Sequence, residues 1–259
     1  MEIVLFLAIG LAVGCIGAML GIGGGIIIVP LMSFVFGATP QEAAGTSILV
    51  VLFNSLSGAF GYYKQKRICW DAAWKFALAT IPGGFLGSYI AHYLESKTLF
   101  IIFGIFFAIM AVMMFMKAET KSKAEANTDV PENYDWKLGT VCSVVVGFIA
   151  SILGIGGGII HVPMMTYLLK FPVKTAIATS TAILTVSAFS GAVSHAVLGH
   201  VVWIPALGLS VGAVIGAQVG VRLASKTKSS LLMKLTALLV FAMGVKFVLS
   251  VCPILQTLS

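Results

Sequence analysis

A twelve-residue segment, Gly21-Ile22-Gly23-Gly24-Gly25-Ile26-Ile27-Ile28-Val29-Pro30-Leu31-Met32, occurs twice in this chain, the second time from Gly154 to Met165. Sliding the sequence against itself by 133 residues lays 20–32 on 153–165 with 11 of 13 positions identical and no gap. The same offset carries Thr46-Ser47 onto Thr179-Ser180, Ser57-Gly58-Ala59 onto Ser190-Gly191-Ala192, Trp70 onto Trp203, and Gly83 and Gly87 onto Gly216 and Gly220. The chain is therefore one unit used twice, and each residue has to be read together with its counterpart.

Apolarity says what kind of unit it is. Of 259 residues 59% are hydrophobic and only 10% charged, with mean hydropathy +1.06, whereas about a quarter of a soluble domain is charged. This composition excludes an ordinary globular domain and a nucleic-acid binder, and it places the chain in the lipid bilayer. Runs long enough for transmembrane helices lie at 3–20, 43–63, 72–93 and 99–116 in the first half, and at 138–153, 176–198, 204–224 and 231–252 in the second. The first Lys or Arg is Lys64, so the first run lacks the basic start of a signal peptide and is expected to stay as a helix. Cys15, Cys69, Cys142 and Cys252 have neither CxxC nor His-partnered spacing and read as small buried hydrophobes.

As one helix, 3–36 would be roughly 50 Å long, against a hydrocarbon core of about 30 Å. It has to break. Gly23-Gly24-Gly25 disfavours continuous helix, and Pro30 is expected to interrupt the helix that resumes after them; Gly156-Gly157-Gly158 and Pro163 do the same for 138–169. If each broken stretch crosses the membrane once, the 16 basic residues divide 9 against 7 between the two sides. If each is a hairpin, Lys64, Lys66, Arg67, Lys75, Lys117, Lys121, Lys123, Lys137, Lys170, Lys174, Arg222, Lys226, Lys228 and Lys234 share one side, 14 against 2. Cytoplasmic loops carry the positive excess, so the hairpin is preferred. The expected fold is an all-α integral membrane protein of two homologous, inverted repeats, 1–116 and 138–259, each of four long helices plus a broken helical hairpin. Between them 117–137 holds nine charged residues and reads as a solvated linker.

Inverted repeats with interrupted helices are the pattern of secondary transporters, whose substrates bind near the midplane at half-helix ends. The amides of Gly23, Gly24, Gly25 and Ile26 and of Gly156, Gly157, Gly158 and Ile159 are expected to lose their helical partners at the breaks. An anion can satisfy them, aided by the positive end of the following helix. The alternative is that these glycines only let helices pack closely. Thr46-Ser47 and Thr179-Ser180 begin the next helix in each half, where hydroxyls either cap amides or face a ligand. Deeper in those helices Asn54 aligns with Ser187, and both join the candidate set. His161 replaces Ile28 of the first copy, placing a titratable group beside one break only. No Asp or Glu falls mid-run, which argues against a site for a bare metal cation. The glycine files Gly83/Gly87 and Gly208/Gly212/Gly216/Gly220 read as helix packing.

A GxGGGxxxVPxL-type segment repeated in two halves, each followed about two dozen residues on by a Thr-Ser pair, resembles the sulfite exporter TauE/SafE family of membrane permeases. The resemblance covers all but the linker. It implies transport of small anions, often sulfur-containing oxyanions such as sulfite or organosulfonates, across a prokaryotic cytoplasmic membrane. Family members are usually described with about eight helices, and His161 is not part of the resemblance. Expected partners are a small anionic substrate and the lipid bilayer, with room for a homo-oligomer; no cofactor, metal or nucleic acid is expected. An anion channel stays open as a second reading, and below it a membrane-embedded enzyme.

Overall fold

The computed structural model describes residues 2–95, 97–99, 101–106, 109–110, 130–131 and 134–251. The first half supplies α1 (Glu2–Leu20), α2 (Gly25–Phe34), α3 (Pro40–Lys64) and α4 (Trp70–Tyr93). The second supplies α5 (Trp136–Leu153), α6 (Gly158–Pro163) running into a π turn (Met164–Leu168), α7 (Val173–Val197), α8 (Trp203–Lys226) and α9 (Ser229–Val251). Residues 97–99 and 101–106 are also helical, and the described residues contain no strand. Five helices, α1, α3, α5, α7 and α8, are long and apolar enough to cross a membrane. The expected run at 99–116 and the linker at 117–137 fall largely outside the described residues.

Both breaks are built the same way. α1 stops where Gly21 turns left-handed at φ 72°, and Gly23 and Gly24 follow at 77° and 85°; in the second copy Gly154, Gly156 and Gly157 stand at 66°, 75° and 90°. A side chain in this region costs roughly 1–2 kcal/mol per residue, so the backbone path itself requires the glycines. Gly24 and Gly157 are the N-caps of α2 and α6, with ψ of −9° and −7°.

The prolines behave differently from expectation. Pro30 lies inside α2, and the helix continues past it to Phe34. In the second copy the chain widens into the π turn straight after Pro163. A proline ring crowds the carbonyl four residues back, and a π turn is one way to absorb that strain; the glycines alone make the breaks.

After each break the chain returns to where it started. The rings of Phe6 and Phe36 lie 5.2 Å apart, joining the start of α1 to the end of α2. Those of Tyr134 and Phe171 lie 5.1 Å apart, joining the approach to α5 to the far end of the π turn. Each hairpin then packs on the other half: α1 runs along α8 and α5 along α4, while α3 packs on α7 and α8. Small residues allow that approach. A Cβ on Gly14 would sit 2.5 Å from the Ala213 backbone, and one on its counterpart Gly147 2.3 Å from Thr80 O. Gly83, Gly87, Gly212, Gly216 and Gly220 press equally hard on opposing backbone, as the four-residue files predict, whereas Gly208 of the same file meets the Phe6 side chain at 2.8 Å. Among the described residues three buried hydrophobic clusters each draw on both halves. Exposed apolar side chains such as Leu78, Phe85, Leu86, Ile204, Leu207 and Val211 cover α4 and α8, the surface a bilayer accepts. Trp70 and Trp203 stand exposed at the first residues of these two helices, where interfacial anchors belong.

Candidate functional site

The two glycine breaks meet inside the bundle. A Cβ on Gly25 would lie 2.7 Å from Ile155 Cα, and one on Gly158 2.2 Å from Gly21 O. Val51 of α3 and Leu184 of α7, equivalent under the 133-residue offset, both reach Gly23 and both reach Gly156. The duplicated motifs thus come together in one place. Close packing at these glycines is part of their role.

The Thr-Ser pairs divide their work. Thr46 Oγ1 accepts the amide of Val202 at 3.0 Å, and Thr179 Oγ1 accepts that of Cys69 at 3.0 Å. Val202 and Cys69 are the N-caps of α8 and α4, so each threonine steadies the start of a helix in the other half. Ser180 Oγ donates to Gly21 O at 3.1 Å and Ser47 Oγ to Gly25 O at 3.4 Å. The serines therefore touch the break backbone directly. All four residues are fully buried.

Asn54 differs from them. Its side chain is 1% exposed, yet neither Oδ1 nor Nδ2 has a hydrogen-bond partner. Leaving such groups unpaired costs about 1–3 kcal/mol. A Cβ on Gly17 would sit 2.4 Å from Gly24 N and 2.8 Å from Asn54 Nδ2, so an amide of the break and the Asn54 carboxamide both pack directly against α1 where Gly17 lacks a side chain. Gly25 and Ile26, at the start of α2, add amides with no acceptor inside the helix. The second half has Ala150 where the first has Gly17 and a buried Ser187 where the first has Asn54; the pairing of a carboxamide with a break amide belongs to the first break.

His161 lies elsewhere. Its Nδ1 donates to Gly157 O at 3.2 Å and its Nε2 faces Ser143 Oγ at 3.2 Å, so the fully buried ring ties α6 to α5 within one hairpin. The described residues contain no group of three or more His, Cys, Asp or Glu arranged to hold a metal, and no Asp, Glu, Lys or Arg is buried among them. Among the described residues the buried polar side chains are hydroxyls, the Asn54 carboxamide and the imidazoles of His161, His195 and His200.

Sequence reading missed a chain of three other histidines. Exposed His92 Nδ1 lies 3.0 Å from His200 Nε2, His200 Nδ1 lies 3.0 Å from His195 Nδ1, and His195 Nε2 donates to Ser151 O at 3.0 Å. Burial, and after it the neighbouring His92, holds His200 below the usual imidazole range, with Glu42 opposing. The offset could have pointed to it. His195 falls on Tyr62 and Ser151 on Ala18, and Tyr62 Oη donates to Ala18 O at 2.8 Å: the same carbonyl is held in both halves, but only once by an imidazole.

Comparison with known proteins agrees with this architecture. The pattern of the sulfite exporter TauE/SafE family matches residues 6–247. YunE of Bacillus subtilis, named a probable membrane transporter protein, is 35% identical over 232 residues, 82% of this chain and 85% of its own. MJ0441 of Methanocaldococcus jannaschii, named likewise, is 32% identical over 197 residues, 74% of this chain and 71% of its own. A relative from Xylella fastidiosa, also named so, is 29% identical over 242 residues, covering 92% of this chain and 90% of its own. No solved structure matches. A pattern that spans nearly the whole chain, on a helical bundle whose two broken segments meet inside it, makes this multi-pass membrane protein a member of the sulfite exporter TauE/SafE family of membrane transporters.

Proposed function

We propose that this transporter carries small anions, sulfur-containing oxyanions such as sulfite or organosulfonates, by alternating access between two inverted repeats. The observation that carries the anion reading is the partnerless, buried Asn54 beside the amides that open α2. Its Nδ2 and the amides of Gly24, Gly25 and Ile26 are donors, and the α2 terminus carries the positive end of the helix dipole. An oxyanion can accept from several of them at once. Absence of buried carboxylates among the described residues removes the ligands a metal cation would want. Ser47 and Ser180, already on the break backbone, and Ser187 in the other half join the binding surface when the breaks move.

Inversion is supported by the contacts at the two ends of the bundle. Gln65 reaches Val221 O, Lys174 reaches Ser225 O and Cys69 N reaches Thr179, so the basic connections gather at one end, the end to which Tyr134 and Phe171 belong. Phe36, Leu94 (bonded to Gln41 at 2.8 Å) and His200 mark the other. By the positive-inside tendency the basic end is cytoplasmic. A carrier is favoured over an enzyme because the Ser143–His161 pair is sealed: Gly157 O lies 3.2 Å from His161 Nδ1, and Ser143 Oγ, with its one proton, is shared between His161 Nε2 at 3.2 Å and Gly139 O at 2.7 Å.

The test is thermal unfolding of the purified protein with sulfite, thiosulfate, sulfoacetate, sulfate and simple carboxylates, since a ligand specific to the native state adds about 2.7 kcal/mol at a hundred times its Kd. A sulfur oxyanion should raise the midpoint, and Asn54→Leu should abolish the rise. Stabilisation by alkali cations with no anion preference would overturn the reading.

A further inference from the structure

We propose that His92, His200 and His195 form a proton-loading chain, through which one proton from the end of the bundle opposite the basic connections reaches His195 and couples anion transport to proton movement. The coupling rests on the transporter reading above; the chain itself rests on geometry. Ser151 O can only accept, so His195 carries its proton on Nε2 and offers the Nδ1 lone pair. His200 must then donate from Nδ1 and accept at Nε2, and His92 must donate from Nδ1. A single carbonyl thereby fixes three tautomers. The rings face one another nitrogen to nitrogen at 3.0 Å, which leaves no room for an ion between them.

The transfer balances without any other reactant. A proton binds the outer Nε2 of exposed His92, whose Nδ1–H passes to His200 Nε2; the Nδ1–H of His200 then passes to His195 Nδ1. His195 ends as an imidazolium still bonded to Ser151 O; it gives up its Nδ1 proton to the opposite side when alternating access parts it from His200, and His200 and His92 then regain their starting tautomers by ring rotation or exchange with water, so that one proton crosses per cycle. The destination suits a cation. Ser151 belongs to the last turn of α5, where the helix dipole is negative.

Loading also reaches the break. Ser151 O accepts the Gly154 amide at 3.3 Å as well, so a charge-assisted bond from His195 competes for the carbonyl that closes the second break. The first half shows what a purely structural device looks like. Tyr62 holds Ala18 O there, and Arg67, not a histidine, occupies the position equivalent to His200. The charged and titratable groups facing the chain are few: Glu42 of α3 nearest His200, and Tyr93 of α4, whose ring stands edge-on to His92 at 5.2 Å. From α5 come only the Ser151 carbonyl and its hydroxyl, the latter buried without a partner.

Two measurements separate this proposal from the transport reading. In proteoliposomes, labelled thiosulfate, which does not titrate near neutral pH, is followed first as exchange at equal pH and then as accumulation driven by acid outside. His195→Gln, which keeps a donor for Ser151 O, and His200→Phe should retain exchange but lose at least about tenfold of the acid-driven accumulation, while Tyr62→Phe retains both. Wild-type acid-driven accumulation in His195→Gln overturns the proposal. If the wild type exchanges nothing, the transport reading fails for this anion, and the chain is judged by nitrogen NMR of the histidine-labelled protein in lipid nanodiscs. There His195 must appear as the Nε2–H tautomer and His200 as Nδ1–H at neutral pH, and conversion of His195 to imidazolium on acidification must slow at least about tenfold in His200→Phe; other tautomers, or an unchanged rate, refute it.

Discussion

Two kinds of polar residue surround the breaks, and substitution separates them by sign. Thr46 and Thr179 each hold the amide of a helix N-cap across the two halves, so Thr46→Val and Thr179→Val should each lower stability by about 1–3 kcal/mol, the cost of leaving such an amide without its partner. Asn54→Leu should leave the unliganded protein as stable or more so, because it removes two buried polar atoms that have no partner. Thermal unfolding without anion checks both, and a clear loss in Asn54→Leu would mean that the carboxamide has a structural role. The positions of these residues were legible from the doubled motif, and Asn54 stood out as the deeper polar group. The role of the threonines was not, because the amides they cap lie 110 and 156 residues away in sequence. The histidine chain escaped for the same reason. Its links span 108, 5 and 44 residues, and only the comparison of His195 with Tyr62 hints at it.

At the scale of the element, the decisive structures are the breaks, and their glycines are of unequal kind. On Gly158 a Cβ would meet Gly21 O at 2.2 Å, and that carbonyl already accepts Ser180 Oγ. Neither backbone can retreat without parting the two breaks, so Gly158→Ala should cost more than the roughly 1–3 kcal/mol of ordinary overpacking and yield little folded protein. Gly37 has nothing within 4 Å of its would-be Cβ; Gly37→Ala should cost only the left-handed strain, about 1 kcal/mol. Yield and unfolding midpoint in detergent decide between them, and equal losses would show that the two breaks part at Gly158 without that added cost. The sequence displayed the glycines through their spacing. It also suggested that the prolines interrupt the helices, but a buried helix can keep a proline when its neighbours or a π turn absorb the strain, as happens after Pro163.

At the scale of the whole molecule, the turns between helices record the conflict between backbone preference and orientation. Four connections contain one left-handed residue each: Gly37 at φ 66°, Lys66 at 54°, Lys170 at 63° and Gly199 at 76°. Under the 133-residue offset Gly37 pairs with Lys170 and Lys66 with Gly199, so the same backbone turn holds glycine in one half and lysine in the other. Lysine is the strained choice by about 1 kcal/mol. Both lysines lie at the end where the basic connections gather, and both glycines at the opposite end, which is what two inverted copies under the positive-inside tendency require. Lys66→Gly with Lys170→Gly should therefore leave the fold intact, its midpoint unchanged or slightly higher because glycine's extra unfolded-state entropy offsets part of the relief, while weakening the bias that orients the chain during insertion. Single cysteines at Lys66 and Lys170, in a background without native cysteines, should label from one side of the membrane, and cysteines at Gly37 and Gly199 from the other. If each broken stretch crossed the membrane once, each of these pairs would label from opposite sides, and the inverted arrangement would have to be abandoned.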